Sequence, residues 1–120
     1  MLHAGARWVD LRSLTVRKYD AAALAGPDDW SGPTLTGIGG TAVKLRWINA
    51  PFRWHRNDGP ELFLVLDGEV DMHVRPAPHA ESEIVRLGPG QMLWIEEGDE
   101  HIAYPCGEAR VLVVEQEDAP

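Results

Sequence analysis

Two short segments hold the residues best suited to chemistry. One runs Trp54-His55-Arg56-Asn57-Asp58-Gly59-Pro60-Glu61-Leu62-Phe63, the other Gly98-Asp99-Glu100-His101. Imidazoles change charge near neutrality, and in the neutral form they offer a nitrogen lone pair. Glu61 opens the apolar run that ends at Leu66. In a strand, Glu61, Phe63 and Val65 share one face, and Leu62, Leu64 and Leu66 share the other. Both faces are apolar, so this strand is expected to be covered on both sides, by the barrel and by a second sheet or subunit. A carboxylate at the end of such a strand leaves water only if it is paired or coordinates a metal. His55 and Asn57 fall on one face ahead of the turn, and His101 opens a later strand. Taken singly, each has a plain structural explanation, such as a surface histidine at a strand start or a rim carboxylate.

The other reactive residues have weaker settings. His73 alternates with Asp71 and Arg75 on a polar strand face and is expected in solvent, while His3 and His79 fall in a terminus and a loop. Cys106, the one cysteine, lies between Pro105 and Gly107 and reads as a small residue near a turn. It excludes an intrachain disulfide and fits a reducing cytoplasm. Gly88-Pro89-Gly90 lacks the setting of a phosphate loop and is a turn. The five tryptophans, Trp8, Trp30, Trp47, Trp54 and Trp94, suit core or subunit contacts.

Positioning these groups falls to a series of short strands. From Thr34 onward, strand patterns alternate with turn residues. Thr41 to Asn49 places Val43, Leu45 and Trp47 on one face and Lys44 and Arg46 on the other. Strands are predicted over Phe52 to His55, Glu61 to Leu66, Glu69 to Arg75, Ile84 to Leu87, Met92 to Ile95, His101 to Tyr104 and Arg110 to Glu115. Asp67-Gly68 makes a hairpin turn. Ahead of Thr34, Trp8 to Tyr19 reads as a strand or a mixed arm. Asp20 followed by alanines suggests a helical turn stopped by Gly26-Pro27. The lack of strand–helix alternation argues against a parallel α/β sheet and for an all-β sandwich or barrel.

With 120 residues, the chain makes one domain, large enough to bury a core without staples. The expected division is an arm and loop over 1–33 and a barrel over 34–117. A net charge of −8 with no Lys/Arg cluster argues against nucleic acid, whose phosphates demand concentrated positive charge. No apolar run approaches the roughly 20 residues that span a bilayer, and the first residues lack the pattern of a signal peptide. No membrane role is expected.

Together, in this order, the two segments resemble the cupin superfamily. Its first motif has the form H-x-H, three or four residues, E, six residues, G. Here it reads His55, Arg56, Asn57, then Asp58-Gly59-Pro60, Glu61, and six residues to Gly68. The second has the form G, five residues, P-x-G, two residues, H. Here it reads Gly90, five residues, Glu96-Glu97-Gly98-Asp99-Glu100-His101. The chain is most similar to small single-domain cupins of the mannose-6-phosphate isomerase-like type. The resemblance implies an all-β, double-stranded β-helix, a jelly-roll-like barrel of two antiparallel sheets. It also implies a divalent metal site, with Fe, Mn, Zn or Ni as the ion. Asn57 stands where the family usually has a second His, and Glu96 where it usually has Pro. The family's ligands therefore reduce to His55, Glu61 and His101, with Asn57 as a weak neutral oxygen donor. Two histidines and one carboxylate form the ligand set of many non-haem iron oxygenases, with open positions for water or substrate. The alternative is a site that has lost its metal while the barrel keeps its fold.

Such a barrel holds one small ligand near its mouth. Trp47, Phe63 and Val65 are the expected pocket residues, Trp47 because its parity with Leu45 directs it inward. Met92 or Leu93, Ala103 and Val113 complete the expected lining. Three functions fit: a metal-dependent oxygenase or isomerase, a metal-free small-molecule sensor, or a scaffold for a homodimer. The expected dimer uses the Leu62, Leu64 and Leu66 face and the segment holding Trp8, Val9 and Leu11, since so apolar a free face invites association.

Overall fold

The computed structural model describes Gly5, Trp8, Asp10 and residues 15–119. Among the described residues nine strands follow in order: β1 (Thr34–Ile38), β2 (Thr41–Ile48), β3 (His55–Arg56), β4 (Glu61–Asp67), β5 (Val70–Arg75), β6 (Glu83–Leu87), β7 (Met92–Ile95), β8 (Glu100–Pro105) and β9 (Ala109–Gln116). They form two antiparallel sheets, β1-β2-β9-β4-β7 and β3-β8-β5-β6. This is the all-β double-stranded β-helix expected from the sequence. From β2 onward the chain changes sheets at every connection except β5 to β6. That wrapping makes neighbours of strands far apart in sequence, β4 with β9 and β3 with β8.

Most strands begin and end within a residue or two of their predicted positions. β3 differs, since it starts at His55 rather than Phe52. The Arg53 carbonyl is engaged by the His55 ring at 3.1 Å instead of by a strand neighbour. Ahead of the barrel, Asp20 caps a single 3-10 turn, Ala21–Ala23, by accepting from the Ala22 N–H at 3.0 Å. Val16 to Asp20 form neither strand nor helix. Val9, Leu11 and His3 lie outside the described residues. Among the described residues no helix is long and apolar enough to cross a membrane.

The core lies between the sheets, where Ile48, Phe63, Val65, Val70, Met72, Leu87, Val111 and Val113 pack together. Two glycines permit close approaches. At Gly68, φ is +80° and a Cβ would stand 2.5 Å from the Glu108 carbonyl oxygen, so the β4–β5 turn tolerates no side chain. At Gly32, a Cβ would lie 1.9 Å from the Leu45 oxygen, which lets the 31–33 loop press against β2.

The outer face of the five-stranded sheet is also apolar. Cross-strand pairing aligns Leu35, Val43, Val114, Leu62 and Trp94 in one row, and Leu45, Leu112, Leu64 and Met92 in the next. Tyr19 and Ala21 border a groove on this face together with Leu35, Val43, Leu45 and Leu112. The segment ahead of the barrel thus covers part of it.

Candidate metal centre

Four strands change character at one level of the barrel. Facing inward, β4 runs from Val65 and Phe63 to Glu61, and β8 from Ala103 to His101. β9 runs from Val111 and Val113 to Glu115, and β2 from Ile48 to Arg46 and Lys44. Below this level the core is apolar; above it lie the chargeable groups.

Antiparallel pairing of β3 with β8 sets His55 directly opposite His101, and their ring centroids are 4.1 Å apart. β4, from the other sheet, brings Glu61 Oε1 to 3.4 Å from His101 Nε2. One donor atom from each of His55, Glu61 and His101 lies within 4.8 Å of the others. Glu61 and His101 are buried, at 4% and 2% exposed. The sequence therefore named three residues that the fold brings together.

The local chemistry suits a cation. A carbonyl oxygen only accepts, so the His55 contact with Arg53 makes Nδ1 the protonated nitrogen and leaves the Nε2 lone pair for the site. Burial, and secondarily the nearby His101, push the His55 pKa below its ordinary value, which favours the neutral, metal-binding form. His101 Nδ1 and both side-chain polar atoms of Asn57 are buried without a hydrogen-bond partner. Buried polar atoms rarely go unpaired unless something else occupies the site. Asn57 is fixed by its backbone, its N–H donating to the Asp99 carbonyl at 3.0 Å and its carbonyl accepting from Gly98 at 2.9 Å. These residues and unpaired atoms fit a divalent ion.

Above the three donors opens a cavity of about 170 Å³. Trp30 and Phe52, with ring centroids 5.6 Å apart, form an aromatic wall. Ala103 and Val113 form an apolar one. The remaining wall consists of Lys44, Arg46 and Glu115, three residues the sequence reading did not select. Lys44 Nζ donates to Glu115 Oε1 at 2.5 Å and to the Ala119 carbonyl at 3.2 Å. Burial raises the Glu115 pKa; Lys44 opposes the rise and neighbouring Glu61 adds to it. The Arg46 guanidinium donates to the carbonyls of Gly32, Pro33 and Leu45 and to Thr34 Oγ1. It thereby fastens the loop that follows Trp30.

The expected pocket residues require correction. Trp47 lies on the opposite face of β2, packed near Gly26, with its indole N–H donating to Glu108 Oε2 at 3.2 Å. The inward positions of β2 belong to Lys44 and Arg46 because the outer face of this sheet is apolar as well. Phe63 and Val65 do face inward, but they fill the core beneath the cavity rather than line it. Of the pair left undecided, Leu93 packs on the core and Met92 is exposed. His73 stacks against Tyr104, with centroids 4.5 Å apart. Cys106 is exposed, next to the Asp71–Arg86 ion pair of the four-stranded sheet.

Comparison with solved structures agrees with this geometry. A cupin-2 domain protein from Shewanella frigidimarina is 22% identical, with a TM-score of 0.70 over 89% of this chain and 99% of that one. A cupin-superfamily protein from Desulfitobacterium hafniense is 16% identical, with a TM-score of 0.68 over 82% and 87%. The fold is a cupin fold. A third cupin-like neighbour is hydroquinone 1,2-dioxygenase from Sphingomonas, solved with 4-hydroxybenzoate bound. It is 15% identical, with a TM-score of 0.63 over 69% of this chain and 63% of that one. No family model and no curated protein matches the chain by sequence.

Proposed function

We propose that this cupin-fold chain binds one divalent metal ion (Fe, Mn, Zn or Ni) through His55, Glu61 and His101, with Asn57 as a weak neutral donor. It uses the cavity above the ion to bind or transform a small organic molecule. The observation that carries this reading is the His–Glu–His group, with Glu61 and His101 buried and His55 half-buried, at the floor of a cavity with an aromatic wall. Such an ion supplies Lewis-acid or oxygen-activating chemistry. The chain's own residues orient the ligand: Trp30 and Phe52 offer ring faces, and Lys44 and Arg46 place positive charge on the far wall. The 4-hydroxybenzoate in the Sphingomonas dioxygenase is a small planar acid of the kind such walls suit, which supports an oxygenase over an isomerase. Elemental analysis of protein purified without chelator or an affinity-metal column tests the reading. About one equivalent of a transition metal is expected; none, even after reconstitution, refutes it.

A second reading, a metal-free sensor of small molecules, draws on Asn57 and Glu96 in place of the usual His and Pro. Ligand-induced thermal stabilisation that persists in a chelator would favour it. In either case we place the chain with the small cupins of the mannose-6-phosphate isomerase-like type, acting in the cytoplasm, with residues 1–33 as an arm on a 34–117 barrel. The apolar rows on the outer face of the five-stranded sheet support a homodimer. Light scattering at tens of micromolar protein should give twice the chain mass, and a monomer would refute the dimer.

A further inference from the structure

Trp30 stands in a backbone conformation that its side chain makes costly. Its φ is +58°, in the left-handed region, where a bulky residue is an outlier and glycine or asparagine is the ordinary occupant. Its neighbours hold it there. Asp29 Oδ1 accepts from the Asn49 N–H at 2.7 Å, and the Ser31 carbonyl accepts from the Trp47 N–H at 2.8 Å. The indole N–H serves the scaffold, donating to the Ala50 carbonyl at 3.0 Å. What Trp30 brings to the cavity it lines is therefore a ring rather than a donor. Ring centroids lead from Trp30 to Phe52 (5.6 Å), on to His55 (5.9 Å) and then to His101 (4.1 Å). The indole thus closes an aromatic row that starts at the proposed metal donors. Strained residues of this kind cluster at ligand sites. Arg46 lines the same cavity. There Lys44 pairs with Glu115, and Glu61 meets His101. Among the described residues, Arg46 bonds to carbonyls and to the Thr34 hydroxyl, and to no carboxylate.

We propose that Trp30 is the specificity-determining residue of the cavity, a fixed stacking platform that selects aromatic acids over saturated acids of the same size and charge. The ligand's ring lies against the indole, and its carboxylate answers the unmatched charge of Arg46. This rests on the cavity reading above and deepens it by naming the ligand class. A side chain already held in place loses little freedom when a ligand stacks on it. That gives the strained backbone a use that core packing alone does not.

The test is calorimetric titration with two probes, 4-hydroxybenzoate and trans-4-hydroxycyclohexanecarboxylate, which share charge and size but not the aromatic face. The proteins compared are the wild type, Trp30→Phe and Trp30→Leu. The wild type is expected to bind the aromatic probe more tightly than the saturated one by roughly five- to tenfold. Trp30→Leu should bring the two affinities together by weakening the aromatic probe alone, and Trp30→Phe should keep part of the preference. A residue that merely packs would weaken both probes alike, so an equal loss in Trp30→Leu overturns the proposal. So does a wild type that binds both probes equally or binds neither, a comparison that needs no variant to fold. Elemental analysis of the same wild type reads the metal separately. An aromatic preference in protein that takes up no metal supports the platform and refutes the ion; a metal-loaded protein without the preference does the reverse.

Discussion

Phe63 and Glu61 stand two residues apart on β4, face the same way, and are buried almost alike, at 2% and 4% exposed. Phe63 packs among aliphatic side chains, and its burial stabilises the fold by about 1.5–3 kcal/mol. Glu61 sits against His101, with Glu115 lining the same cavity, and its burial carries a desolvation cost. The same contrast separates Ala103 from His101 and Val113 from Glu115. The closed end of the barrel secures stability. The mouth gives some of it up and holds groups whose partner is expected to be a ligand.

The largest effect should come from the closed end. Phe63→Ala is expected to lower the unfolding free energy by about 3–5 kcal/mol in chemical denaturation. A loss under about 1 kcal/mol would mean the core does not divide as described. At the mouth, Glu61→Gln should weaken metal binding by at least about 10- to 100-fold in calorimetry while leaving the denaturation midpoint of the metal-free protein unchanged or higher. A midpoint that falls as far as for Phe63→Ala would erase the distinction between the two ends. Asn57→His supplies a better donor than an amide oxygen and should tighten metal binding roughly tenfold. No gain, with the new ring pointing inward, would show that the site has lost its geometry along with its ligand.

The smallest effect concerns pH in the metal-free protein. The folded His55 has a pKa below its ordinary 6.5, so in acid the unfolded chain takes up this proton first. Stability should fall as the pH drops below the ordinary histidine range, and that loss is complete once the folded imidazole is protonated. Glu115 works the other way: its folded pKa is raised, so the native state takes up that proton first. Some stability should return as the pH falls through the raised value toward the ordinary carboxylate range. Denaturation midpoints across this range should therefore dip and partly recover. A flat profile would show that burial does not shift these two groups.

The contrast also explains what the sequence could and could not tell. The two motifs carried the spacing of His55, Glu61 and His101, the strand and turn pattern left an all-β sandwich or barrel, and the resemblance to cupins implied the wrapping, so site and fold were both legible. β2 misled because hydrophobic parity assumes one wet face. Val43 and Leu45 belong to an apolar outer surface partly covered by Tyr19 and Ala21, so their hydrophobicity did not mark the inside. Lys44 and Arg46 were placed on the face opposite the expected pocket residue Trp47, although they line the cavity. Glu115 was hidden for a related reason, since a charged residue at a strand end usually marks an exit into water. The remaining clue was alternation on β9, where Val111, Val113 and Glu115 share a face.

Arg46 has a consequence for how such a cavity can diverge. It is part of the wall and also ties down the 32–34 segment through Gly32, Pro33 and Thr34. Replacing it changes the cavity wall and releases a loop in one step. Phe52 bears no such double duty. It is 41% exposed, and its ring meets the rings of Trp30 and His55 and the Arg53 guanidinium. Variation that retunes ligand choice while sparing the scaffold has an open route at position 52 and a closed one at position 46. Among descendants of this chain, new specificities should arise first on the aromatic side.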